Sequence, residues 1–217
     1  MSEPDDSVSG KLNTSRLVIA ALIILAVGAG VYVTFGLSGK PEQVAGGCTI
    51  SDALKASLNS KSEGEVAAFT VADKPVSIAD ISFKDNKGNA KVLDDWSGRT
   101  VLLNLWATWC APCRREMPAL DALERDLGGE QFQVVPISLD LGTDEKPKAF
   151  YQEIGLKHLP FMHDGSLESL NRLKKLGLAY GLPATLLIDK SGCVLGTLNG
   201  PAEWSGEDAK ALIRAAF

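Results

Sequence analysis

Eight residues, Trp106 to Cys113, read W-A-T-W-C-A-P-C and constrain this chain more than any other stretch. They follow an apolar run, Thr100 to Leu105, and lead into a helix-like segment, Arg114 to Leu127. Two cysteines two residues apart, where a buried strand meets a helix, make a redox pair. Cys110 falls at or just before the first helical turn, where unpaired backbone N–H groups and the helix dipole favour negative charge. That setting lowers a thiol pKa below the free value of about 8.5 and raises the thiolate fraction at neutral pH. The spacing lets Cys113 swing round and resolve a mixed disulfide. Zinc would need a second ligand pair, and no other Cys or His pair in the sequence has suitable spacing.

The longer stretch V-L-L-N-L-W-A-T-W-C-A-P-C-R-R-E-M-P, from Val101 to Pro118, resembles the thioredoxin-like, membrane-anchored thiol–disulfide reductases, the family of TlpA, ResA and CcmG, with the TlpA branch the most similar. The resemblance extends through G-L-P-A-T-L-L-I-D at Gly181 to Asp189. It implies a thioredoxin-like α/β fold, a central mixed sheet flanked by helices. It also implies an N-terminal helix and hairpin extension and an inserted α segment.

The N-terminal third supplies a second constraint. Leu17 to Leu37 is an uncharged, mostly apolar run of 21 residues. At about 1.5 Å per residue it spans about 30 Å, one bilayer core. The expected layout is a polar tail over 1–16, a transmembrane signal anchor over 17–37 and a linker over 38–47. Residues 48–217 then form one thioredoxin-like domain, long enough to bury a sizeable core. A cleaved signal peptide is the rival, but the run exceeds an ordinary h-region and no Ala-x-Ala site directly follows it. Cys48 ends an Ala-Gly-Gly-Cys that superficially resembles a lipidation site, yet Lys40, Pro41 and Glu42 separate it from the apolar run. Lys11 and Arg16 on one side are nearly balanced by Lys40 and Lys55 on the other, so the positive-inside count is almost tied. The family faces outward across the inner bacterial membrane, which implies a periplasmic C-terminal domain.

Along the domain, Ile50, Leu54 and Leu58 have helical spacing. Ile81 to Phe83 and Ala90 to Leu93 flank the turn-rich Asp85-Asn86-Lys87-Gly88 and predict a hairpin. Thr100 to Trp106 predicts a central strand covered on both faces. Arg114 to Leu127 predicts a helix with Met117, Leu120, Leu123 and Leu127 as its buried stripe and a kink at Pro118. A strand is expected over Phe132 to Leu139. The inserted region follows over 140–164, with a helix near Lys146 to Ile154, and a further helix over Ser166 to Tyr180. Strands Ala184 to Ile188 and Cys193 to Leu198 flank a hairpin turn, and a helix over Gly206 to Ala216 closes the chain.

Cys110 is the candidate nucleophile and Cys113 the deeper resolving thiol. Pro112 suits the first helical turn, where its missing N–H costs nothing. Pro183 resembles the family's cis-proline, which would turn Leu182 outward to pair with a substrate strand; the alternative is an ordinary trans proline in a loop. Trp109 offers an apolar contact surface or simply packs. Glu116 lies one helical turn after Cys113 and matches the family's glutamate, a proton carrier for the buried thiol; a solvated acid in the first turn is an equal rival. Asn104 stands where ordinary thioredoxins carry a buried aspartate, and an amide cannot shuttle a proton. Cys48 and Cys193 are expected to form a structural disulfide, the alternatives being two buried thiols or a second redox site. His158 and His163 receive no role, and no cofactor is expected.

Net charge is −5 with mixed signs and no basic cluster interleaved with aromatics, so nothing points to nucleic acid. Three function classes compete. One is a dithiol reductase for exported proteins, re-reduced by a membrane electron donor. The second is an oxidant or isomerase on the same fold, and C-x-x-C separates these only weakly because direction depends on relative potential. The third, a copper-binding module, resembles proteins with C-x-x-x-C and a distal histidine, a spacing this chain lacks. A peroxiredoxin is disfavoured because Cys110 lacks the upstream proline and threonine of that family. The TlpA branch implies reduction of cysteine pairs in copper-site assembly of respiratory oxidases, with haem-site cysteines of cytochrome c maturation as the alternative.

Overall fold

The run Thr100–Trp106 forms a strand that is buried at every position, because both faces of the sheet are covered by packed side chains. The computed structural model describes residues 47–217. Helix α1 (Asp52–Lys61) and a short edge strand β1 (Thr70–Val71) precede a hairpin of β2 (Ser82–Asp85) and β3 (Ala90–Val92). The Thr100–Trp106 strand is β4, followed by α2 (Ala111–Leu127), β5 (Phe132–Ser138), α3 (Glu145–Ile154) and β6 (Met162–His163). Helix α4 (Glu168–Lys175), strands β7 (Ala184–Ile188) and β8 (Val194–Asn199) and helix α5 (Glu207–Arg214) complete the chain. The expected anchor over 17–37, the tail and nearly all of the linker lie outside the described residues. Among the described residues no helix is long and apolar enough to cross a membrane.

One mixed sheet runs in the order β1-β8-β7-β4-β5-β6-β2-β3. β4 pairs parallel with β5 and antiparallel with β7, and β7 pairs antiparallel with β8. With α2 crossing between β4 and β5 and α5 after β8, this is the thioredoxin-like arrangement. Alternation along β4 divides the core. Leu102 and Trp106 pack with Met117, Leu120 and Leu123 of α2 and Leu212 and Ile213 of α5. Val101, Leu103 and Leu105 face the other layer, with Leu170 and Leu173 of α4 and Ile78, Ile81 and Phe83.

Several boundaries differ from expectation for local reasons. The α2 helix starts at Ala111, before Arg114, because Cys110 is its N-cap. It continues through Pro118 to Leu127. Leu127 is only half-buried, while Glu116 and Ala119 join the buried face. The helix expected over 166–180 is shortened to Glu168–Lys175. Gly177 takes a positive φ of 70°, and the N–H groups of Gly177 and Leu178 turn back to the carbonyls of Lys174 and Leu173. Two paired strands carry only two residues each, too few for any periodic signal. β1 lies on β8, and β6 joins β5 to the N-terminal hairpin.

Candidate active site

The C-terminal end of β4 aims the chain at the redox pair. Trp106 and Ala107 are fully buried, and the chain turns outward at Trp109, which is 67% exposed. Cys110 then caps α2, its Sγ accepting the Cys113 N–H at 3.3 Å. The two sulfurs are bonded, with Cα atoms 5.3 Å apart. Cys110 is 6% exposed and Cys113 is fully buried. Of the two cysteines only Cys110 offers any surface to a partner.

The loop carrying Cys110 is tied down from below. The Asp140 carboxylate accepts from the Thr108 N–H at 3.0 Å and from the Thr108 hydroxyl. Ser138 Oγ donates to the same carboxylate at 2.9 Å. Asp140 is itself nearly buried, and its carbonyl accepts from His163 Nε2 at 2.8 Å. The segment two residues before Cys110 is thus pinned by a carboxylate at the end of the neighbouring strand β5. Sequence reasoning used Asp140 only as a boundary. The sequence marks it only as an acidic residue directly after a buried strand, and its link to Thr108 exists only because β4 and β5 run parallel side by side.

Behind Cys113 lies a second buried carboxylate. Glu116 is 3% exposed, which overturns the solvated-acid alternative. Three N–H donors converge on it: Asn104 Nδ2 at 2.9 Å, the Ala202 backbone N–H at 3.2 Å and Trp204 Nε1 at 3.3 Å. Burial pushes its pKa up from 4.5 to about 7, the dominant effect, and the three donors pull partly back. An acid titrating near neutral pH, one helical turn from a buried thiol, suits both accepting and returning a proton. Asn104 also donates to Thr185 Oγ1 at 2.9 Å, linking β4, α2 and β7 in one polar cluster. Asn104 and Glu116 drew separate comment from the sequence, but only the fold shows that the amide holds the carboxylate.

The Leu182–Pro183 peptide is cis. Leu105 pairs with Ala184, so register places Pro183 beside Trp106 at the end of the sheet where the redox pair sits. Pro183 is buried and Leu182 half-buried, with Leu182 packing against both core layers. Trp109 lines a surface cavity of about 220 Å³ with Asp140, Leu141, Thr143 and Lys146.

Cys48 and Cys193 are joined across 145 residues, far along the sheet from the redox pair. Cys193 is 6% exposed and is fixed by Asp189, whose Oδ1 accepts its N–H at 2.9 Å. Their bond ties the segment before α1 to the entry of β8. Among the described residues no cluster of His, Cys, Asp and Glu could hold a metal.

The family model described as Redoxin matches residues 70–213. Thioredoxin-like protein YneN of Bacillus subtilis is 31% identical over 120 residues, 53% of this chain and 65% of that protein. Thiol-disulfide oxidoreductase ResA of Bacillus thuringiensis is 33% identical over 119 residues, 54% of this chain and 64% of that protein. The match thus spans just under two thirds of the length of these curated relatives. A solved thiol:disulfide interchange protein DsbE from Chlorobium tepidum is 28% identical, with a TM-score of 0.57 over 66% of this chain and 97% of its own. By the extent of the family match, which takes in both the C-x-x-C loop and the Gly-Leu-Pro strand entry, this chain belongs to the Redoxin family.

Proposed function

We propose that this chain is a thiol–disulfide oxidoreductase that works as a dithiol reductant of cysteine pairs in partner proteins. The observation that carries this reading is the Cys110–Cys113 pair at the start of α2, with a near-neutral carboxyl, Glu116, one turn behind it. The Cys110 thiolate attacks one sulfur of a substrate disulfide. A mixed disulfide forms, and the other substrate sulfur leaves as a thiolate and takes a proton. Glu116 accepts the Cys113 proton, and the Cys113 thiolate attacks Cys110 Sγ. The second substrate sulfur is released as a thiolate and takes the proton that Glu116 gives up, while the intramolecular bond closes. The substrate gains two electrons and two protons, and the protein loses the same. A membrane electron donor then resets the dithiol.

The apolar run 17–37 supports a single-pass anchor in the bacterial inner membrane with the redox domain in the periplasm, a compartment in which a Cys48–Cys193 disulfide persists. Resemblance to the TlpA branch supports a more specific role, reduction of cysteine pairs before copper insertion during cytochrome oxidase biogenesis. Cytochrome c maturation and disulfide formation or isomerisation are the alternatives.

The test is a Cys113→Ser variant, which can form the mixed disulfide but not resolve it. Expressed in the native membrane, it should accumulate partners linked through Cys110 and released by reductant. Recovery of no such partner would count against a protein-directed role. The identity of the trapped partner, a copper-site protein or a haem-site protein, chooses between pathways.

A further inference from the structure

Two surface cavities flank the redox pair, and the exposed charges that line them are cationic. The first, about 340 Å³, is lined by Ala111, Arg114 and Arg115 of α2 and by Phe150 and Ile154 of α3. Ala111 directly follows Cys110 and is exposed, as are both arginines. The Arg114 guanidinium lies over the Phe150 ring, 5.1 Å from its centroid, which fixes its position while its edge N–H groups remain available. The second cavity, on the Trp109 side, carries Lys146. Its one acid, Asp140, is nearly buried and already accepts from Thr108 and Ser138. Glu153 is exposed on α3 but does not line the first cavity. Among the described residues, Arg114, Arg115 and Lys146 form no ion pair. A chain of net charge −5 thus keeps three exposed cations without an ion-pair partner beside its redox pair.

We propose that this face docks a polypeptide segment with acidic residues beside its cysteines, the acids meeting Arg114 and Arg115 and an apolar neighbour entering the groove against Phe150 and Ile154. This rests on the reductant reading above and adds the substrate class. Unpaired cations beside a reacting sulfur raise the encounter rate of anionic segments and disfavour cationic ones. Two or three exposed charge pairs amount to a preference of about tenfold at low salt, lost as salt screens them.

The test uses the reduced 217-residue chain in neutral detergent with two peptides of identical Cys-x-x-Cys disulfide core. One is flanked by Asp and Glu, the other by Lys and Arg, and hydroxyethyl disulfide serves as a neutral reference. Single-turnover rates are followed by tryptophan fluorescence. The acidic peptide is expected to react about tenfold faster than the basic one at about 20 mM salt, with the ratio falling towards one at 0.5 M. In Arg114→Gln/Arg115→Gln the ratio should be near one already at low salt. Any change in Cys110 reactivity caused by the substitutions scales both peptides alike and cancels. Equal rates in the wild type, or a faster basic peptide, would overturn the docking proposal and leave the reductant reading standing. Failure to reduce any of the three disulfides would overturn both.

Discussion

Replacing Glu116 with Gln tests the electrostatics of the buried site quantitatively. In the fold the carboxyl has a pKa of about 7, against 4.5 when unperturbed. A difference of about 2.5 units at about 1.4 kcal/mol per unit amounts to about 3 kcal/mol. The folded value is the higher one, so the folded state holds the proton more tightly. Stability from this group is fully present below pH 4.5, falls as pH rises through about 7 and is then level. The ionised carboxylate therefore costs the fold about 3 kcal/mol at pH 8 relative to its protonated form. Gln cannot titrate. Its oxygen can accept from Asn104, but its NH₂ then meets the Ala202 and Trp204 donors, a mismatch of about 1–3 kcal/mol at every pH. Urea unfolding of both oxidised proteins from pH 4.5 to 8.5 separates the two effects. The wild-type advantage should shrink by about 3 kcal/mol between pH 4.5 and 8, superimposed on the constant offset. A pH-independent difference would refute the reasoning, because it would mean that Glu116 titrates as an ordinary exposed acid.

The same variant should lose a pH inflection near 7 in the resolving step, measured as the decay of a Cys110 mixed disulfide with a model peptide. Asp140→Ala should free the Thr108 N–H and hydroxyl and slow attack by Cys110, seen as a lower rate of alkylation of the reduced protein. Asp140→Asn keeps one acceptor oxygen and should recover part of that rate, an outcome a simple loss of folding would not give. Breaking the second disulfide with Cys48→Ser/Cys193→Ser removes a cross-link spanning 145 residues. By chain entropy this is worth up to about 5 kcal/mol. The urea midpoint should drop sharply while the reduction potential of Cys110–Cys113 stays put.

Where the physics is local or strongly periodic, the sequence was sufficient. The apolar run at Thr100–Trp106, the turn residues at 85–88 and the stripe Met117, Leu120, Leu123 each carry their own signal, and the elements fall there. Cys110 and Cys113 were legible because their chemistry depends on spacing and on one helix start. Asp140 was not, since its partner Thr108 lies 32 residues earlier and meets it only because β4 and β5 run parallel in register. Glu116 was ambiguous for a related reason. Helical periodicity places it near Cys113, but its burial is imposed by Trp204 and Ala202 from a distant turn. Strands β1 and β6 exist because neighbouring edges offer hydrogen bonds, a cause that two residues cannot announce.

The reductant reading is tested most directly by the equilibrium reduction potential of the Cys110–Cys113 pair. The 217-residue chain in detergent is equilibrated against a thiol buffer, with fluorescence of the adjacent Trp109 as readout. A dithiol reductant should show a value well below about −200 mV, near the roughly −270 mV of thioredoxin. A value near about −120 mV would place the protein with disulfide-forming oxidants and contradict it.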